Sequence, residues 1–157
     1  MAEYSRHLYN SLLTYLKESG INVDNLEHDG TVEFDMDLNC QVKTCVCTFI
    51  VTDFDIEMYA RFPHTAEPRQ YAAVAQFVTR ANSGMYGSSM EMNYDDGTIT
   101  MRGCGMCNDE PISQDRLNAL VNTVAANWER YANGLLKVLF GDANPKAVID
   151  QIESEEF

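Results

Sequence analysis

FPHTAEPRQYAAVAQFVTRANSGMYGSSMEMNYDDGTITMRGC, running from Phe62 to Cys104, holds the strongest local structural signals of the chain, a helix followed by a hairpin. Pro63 closes the segment before it. Thr65 offers an N-cap, and Glu67 and Pro68 suit a first helical turn, where acids meet the positive helix end and proline's missing N–H is harmless. Tyr71, Val74, Ala75, Val78 and Ala81 then fall on one stripe at helical spacing, and Gly84 ends it. Beyond it, Asp96-Gly97 lies between two alternating runs. That predicts a two-residue type I′ hairpin, because glycine takes the positive φ such a turn requires. The register pairs Tyr94 with Ile99 and Met92 with Met101 on a buried face. On the other face it pairs Asn93 with Thr100 and Glu91 with Arg102, the second an ion pair.

On the N-terminal side, Leu8, Leu12, Tyr15 and Leu16 mark a first helix over residues 3–19, widened by Leu13 and Ile21 and stopped by Gly20. TVEFDMDL (31–38) alternates strictly, with Val32, Phe34, Met36 and Leu38 inside and Glu33, Asp35 and Asp37 outside: a half-buried strand with an acidic outer face. A later strand repeats the scheme, with Phe54, Ile56, Met58, Ala60 and Phe62 inside and Asp55, Glu57, Tyr59 and Arg61 outside. Between them KTCVCTFIVT is apolar on both parities, and hairpin pairing has to orient it. A turn at Thr52-Asp53 puts Val51 opposite Phe54, Phe49 opposite Ile56 and Cys47 opposite Met58, and directly paired residues share a face. Cys45, Cys47, Phe49 and Val51 then belong to the core. Val46 and Ile50 are left outside, beside Tyr59 and on the same face as Arg61. A small apolar island on an acidic face is a candidate binding surface.

On the C-terminal side, Ser113 is an N-cap, with Ile112 and Leu117 placed as a hydrophobic staple. Leu117, Leu120, Val121, Val124, Trp128, Tyr131, Leu135 and Val138 follow at helical spacing. A helix running to Phe140 is about 40 Å long, which predicts a bend at Gly134 or a far end packed on something beyond the sheet. Asn144-Pro145 opens a short terminal helix carrying Ala147, Val148, Ile149 and Ile152.

The resulting order is helix, three strands, helix, two strands, long helix, short helix: an α+β domain, residues 1–157, with helices on one face of an antiparallel five-stranded sheet. At 157 residues and 45% hydrophobic composition the chain suits one domain with a substantial core. The formal charge of -13, from 24 acidic and 11 basic residues, repels phosphate backbones and argues against nucleic acid as a partner. The opening MAEYSRHLYNSLLTYLK lacks the pattern of a secretory signal, no apolar run reaches membrane-spanning length, and five cysteines is an odd number for a disulfide framework. A cytoplasmic location is expected.

The residues with chemical potential are few. His7, His28 and His64 are scattered outside any metal or nucleophile–base pattern. Cys104-Gly-Met-Cys107 has C-x-x-C spacing, and Cys40, Cys45 and Cys47 could add zinc ligands. The strand register argues against that set, because Cys45 and Cys47 face the core while Cys104 lies opposite Ser89 on the outer face. For redox chemistry the pair would need a depressed pKa. It enters the loop Asn108-Asp109-Glu110-Pro111 instead, whose acids raise it.

The segment from about Tyr59 to Val138 resembles the YbjN family, whose domain is similar to the type III secretion chaperone fold. The likeness rests on the strand ending YARFP, the helix carrying FVTRAN, the hairpin MEMNYDDGTITMR and the long helix opening ISQDRLNALV. It implies a binding or regulatory protein, chaperone-like and paired as a homodimer, that holds a protein partner against apolar patches and is not an enzyme. The residues expected to bind are Val46, Ile50, Tyr59 and Arg61, with no cofactor. The alternative is a thiol-redox or zinc-binding protein using Cys104 and Cys107.

Overall fold

The computed structural model describes residues 3–23, 26–108 and 110–155. Helix α1 (Arg6–Glu18) leads into strands β1 (Thr31–Asp37), β2 (Thr44–Val51) and β3 (Ile56–Arg61). A one-turn 3-10 helix (Pro68–Gln70) precedes α2 (Tyr71–Gly84). Strands β4 (Ser89–Met92) and β5 (Ile99–Cys104), the long α3 (Gln114–Phe140) and α4 (Pro145–Ser154) complete the chain. The five strands form one antiparallel sheet in the order β1-β2-β3-β5-β4, with the helices on one face. The expected α+β order is the observed one.

Capping and periodicity account for most element boundaries. The Ser5 hydroxyl accepts from the Leu8 N–H at 3.3 Å to open α1, Ser113 does the same for Arg116 at 3.2 Å to open α3, and Asn144 caps α4 through Ala147 at 3.1 Å. Helix α2 begins later than expected. Thr65 does not cap it; instead the Glu67 N–H donates to Gln70 Oε1 at 2.9 Å, and Gln70 Nε2 donates to the Leu139 carbonyl at 2.6 Å, so the 3-10 turn pins the start of α2 to the end of α3.

The core lies between the helices and the inner sheet face. Trp128, fully buried, donates its indole N–H to the Ala60 carbonyl at 3.1 Å, tying α3 to β3. Gly103 lets α3 come close to β5: a Cβ there would stand 2.6 Å from Leu120 Cδ1 and 3.0 Å from Val124 Cγ2. Gly134 plays the same part toward α4, where a Cβ would stand 2.6 Å from Ile152 Cδ1 and 2.8 Å from Val148 Cγ1. Helix α3 therefore passes through Gly134 unbroken, and its far half is covered by α4 and α2 rather than reaching past the domain.

Both hairpins differ from the sequence expectation by two residues of register. In β2–β3, Val51 pairs with Ile56, Phe49 with Met58 and Cys47 with Ala60. The Thr52 N–H donates to the Asp55 carbonyl at 2.9 Å and the Asp55 N–H donates to Thr52 Oγ1 at 2.9 Å, so the loop is Asp53-Phe54 and Phe54 is exposed instead of buried. In β4–β5, Met92 pairs with Ile99 and Met90 with Met101. The loop is the four residues Tyr94–Gly97, not a type I′ pair. Asn93 accepts from Gly97 N at 2.8 Å through its carbonyl and from Asp95 N at 2.8 Å through its side chain. Tyr94 consequently leaves the core and packs edge-on against Tyr71, and Met90 takes the buried place. A slip of two preserves side-chain parity, so the two faces keep nearly all their assigned residues.

Candidate functional site

In each strand one parity is buried, apart from half-buried Met92 at the end of β4, and the other is exposed or half-buried, so among the described residues the face away from the helices is open. Val46, Ile50 and Tyr59 are half-buried on that face and Arg61 is exposed. Thr48 separates Val46 from Ile50 and stands opposite Tyr59, while Val46 faces Arg61 and Ile50 faces Glu57. The apolar side chains are thus interleaved with charged ones rather than forming a continuous island. Across the sheet the rows run Asp35–Val46–Arg61–Thr100–Glu91 and Glu33–Thr48–Tyr59–Arg102–Ser89.

Arg102 organises the middle of this face. Its Nη2 donates to Glu57 Oε1 at 2.9 Å, its Nη1 lies 3.6 Å from Glu91 Oε1, and its guanidinium sits 5.5 Å from the centre of the Tyr59 ring. The expected Glu91–Arg102 pair is therefore a diagonal contact, and Glu57 is the nearer partner. The Tyr59 hydroxyl also donates to Glu57, at 2.7 Å. Burial, then that hydrogen bond to a carboxylate, push the Tyr59 pKa up to about 12, so the phenol stays a neutral donor. The Arg61 side chain has no hydrogen-bond or ion-pair partner among the described residues. It lines three shallow hollows, of about 460, 400 and 150 Å³, that also touch Asp35, Val46, Tyr59 and Glu91.

The second candidate is the corner where β5 runs into α3. Asp55, placed by alternation on the outer face, is in fact buried at 9% exposure. Its Oδ1 accepts the Ile56 N–H at 2.7 Å and the Cys107 N–H at 3.1 Å, and its Oδ2 accepts from the Cys104 thiol at 2.8 Å. Arg116 Nη2 closes the loop over it by donating to the Gly105 and Met106 carbonyls at 2.5 and 2.9 Å. Burial alone would raise the Asp55 pKa, but the hydrogen bonds from Cys104, Cys107 and Ile56 outweigh it and hold the carboxyl below its usual value. The thiols move the other way. Burial first, then bonding to Asp55, raises Cys104 and pushes Cys107 up to about 11. Both thiols are protonated donors at neutral pH, the opposite of an activated nucleophile. Among the described residues the acids that raise the thiols are Asp55 and, for Cys104, also Glu57; Asp109 of the loop lies outside the described residues.

The register slip of β4–β5 sets Ser89 opposite Arg102 rather than Cys104, and on its other side Cys104 pairs with Glu57 of β3. Cys45 and Cys47 are buried on the inner face with their sulfurs 3.8 Å apart. The row of Cys45 is five residues along the sheet from that of Cys104, about 17 Å, too far for one metal. Among the described residues no three His, Cys, Asp or Glu side chains are grouped to hold a metal ion. Among the described residues, Ser5 Oγ lies 3.0 Å from His7 Nδ1 and the Tyr9 hydroxyl 3.5 Å from His28 Nδ1, but Ser5 is the cap of α1 and a tyrosine at that distance is not an activated nucleophile. Among the described residues no helix is long and apolar enough to cross a membrane.

No family model matches this chain, and no curated protein does. Among solved structures, the crystal structure of YbjN from E. coli, described as a candidate transcription regulator, is similar with a TM-score of 0.58 at 10% identity, over 80% of this chain and 91% of that one. The fold is YbjN-like. At that identity the likeness carries the fold alone, and every residue of the open face and of the thiol corner has to be judged on its own chemistry.

Sequence reasoning missed the burial of Asp55. The available cue was the turn Thr-Asp-Phe-Asp: a short acid directly before an apolar strand is a ready acceptor for neighbouring backbone N–H groups.

Proposed function

We propose that the protein is a non-enzymatic, cytoplasmic protein-binding module, chaperone-like or regulatory, that uses the open face of its sheet. The observation that carries this reading is a whole sheet face left bare by four helices, with Val46, Ile50 and Tyr59 half-buried among acids. Apolar side chains supply contact area, and the fixed Glu57–Arg102–Tyr59 network supplies directional donors and acceptors without reorganisation. Arg61, free of any partner among the described residues, is available to a carboxylate of the bound chain. The acidic balance of the chain speaks for a protein partner rather than nucleic acid, so any regulatory role runs through protein contacts. A homodimer belongs to the same proposal and is read by light scattering.

A photo-crosslinking residue at Thr48, between Val46 and Ile50, tests the face, with one at exposed Thr79 on α2 as the control. Crosslinking to a protein in the source cell from position 48 and not from 79 is the expected result. Crosslinking from 79 alone would move the function to the helical side. The thiol alternative loses ground because both thiols hold their protons against Asp55.

A further inference from the structure

The two edges of the sheet are treated differently by the chain. On β4, Met90 turns its N–H and C=O outward, and the Asn82 side chain of α2 takes both: Met90 N donates to Asn82 Oδ1 at 2.8 Å, and Asn82 Nδ2 donates to the Met90 carbonyl at 2.9 Å. A side-chain amide thus occupies that edge in place of a neighbouring strand. On β1, the Val51 N–H donates to the Gly30 carbonyl and the Leu38 N–H to the Lys43 carbonyl, which fixes the even residues as the ones bonded to β2. The odd residues Thr31, Glu33, Asp35 and Asp37 therefore point their backbone groups away from the sheet. Asp29 Oδ1 takes the Thr31 N–H at 2.9 Å. Nothing among the described residues takes the N–H or C=O of Glu33, Asp35 or Asp37.

An open edge invites strand addition, and the side chains along it select which strand. On the outer face the edge carries Glu33, Asp35 and Asp37, all exposed; on the inner face it carries Val32, Phe34 and Met36, all buried. A second copy pairing β1 to β1 would set these acids against one another across the junction, which is destabilising. A strand with cations at alternate positions meets them favourably while presenting apolar residues beside Phe34 and Met36.

We propose that the free edge of β1 accepts, as a sixth strand, an extended segment of a partner protein in which Lys or Arg alternates with apolar residues. This deepens the protein-binding reading, since it specifies the partner's chemistry and uses the edge beside the open face. It stands apart from Val46 and Ile50 in its test. The probe is a blocked seven-residue peptide of alternating lysine and valine, the length of β1. Two controls accompany it: the same peptide with glutamate for lysine, and the same peptide N-methylated at the amides that would face β1.

The expected result is binding of the cationic peptide, slowed hydrogen exchange at the Glu33, Asp35 and Asp37 amides, and at least a tenfold loss of affinity on N-methylation. The glutamate peptide should not bind. Asp35→Pro removes an outward N–H that no ladder bond uses, and should lower affinity for the cationic peptide similarly; N-methylation makes the same test from the peptide side should that variant not fold. No binding, equal binding of the N-methylated peptide (charge attraction alone), or equal binding of the glutamate peptide would each overturn the proposal. Any of these beside positive crosslinking from Thr48 would leave the open face standing as the binding surface without strand addition.

Discussion

Replacing Asp55 gives the sharpest internal test of the thiol corner. Asp55→Ala leaves the Ile56 and Cys107 N–H groups, now bonded at 2.7 and 3.1 Å, without an acceptor in a buried setting. A stranded buried donor costs about 1–3 kcal/mol, so the pair predicts a loss of about 2–6 kcal/mol. For a domain of this length, each kcal/mol lowers Tm by about 2–4 °C. Asp55→Asn keeps an acceptor oxygen for both N–H groups and loses only the charge, so it should fall between wild type and alanine. The pH dependence has a definite sign. The folded pKa of Asp55 is depressed, so its stabilising contribution is fully present above the unfolded pKa of about 3.9 and is lost as pH falls through the folded value. Urea unfolding of wild type and Asp55→Asn at neutral pH and at successively lower pH measures the gap. It should be widest near pH 7 and close as acid protonates Asp55. A gap unchanged down to pH 2, or an alanine variant as stable as wild type, would refute the assignment of Asp55 as a buried, hydrogen-bonded anion.

The same carboxylate sets thiol reactivity. Cys104 should alkylate slowly at neutral pH and faster in Asp55→Asn, because removing the anion lowers its pKa; equal rates in a timed iodoacetamide assay would count against the geometry. Two glycines with similar φ separate conformation from contact. A Cβ added at Gly20 (φ +71) would meet nothing within 4 Å, whereas at Gly97 (φ +76) it would stand 2.0 Å from the Ala66 carbonyl oxygen. Gly20→Ala should cost about 1–2 kcal/mol for the left-handed backbone, and Gly97→Ala clearly more; equal losses in thermal unfolding would place the loop differently.

Much of this architecture is legible in the sequence because alternation and helical spacing report faces directly. Val32, Phe34 and Met36, or Leu117, Leu120 and Val124, declare a buried side whatever their neighbours do. Register is different. A period of two repeats after every second residue, so the pattern could not distinguish Val51 opposite Phe54 from Val51 opposite Ile56. Side-chain bonds from Thr52 in one loop and Asn93 in the other made that choice, and neither leaves a hydrophobic trace. The candidate face was legible to the level of parity: Val46, Ile50, Tyr59 and Arg61 do share it, although Thr48 separates the two aliphatic residues. The buried Asp55 and the Asn82 clamp on β4 were not legible, since each depends on partners from other elements.

For the proposed binding of protein by the open sheet face, Val46→Glu is the decisive variant, because Val46 is half-buried on that face and lies outside the buried core cluster. Thermal unfolding should stay close to wild type while the partner crosslinked from Thr48 is lost. A variant that unfolds would contradict the assigned face, and a folded variant that keeps the same crosslinked partner would contradict the function.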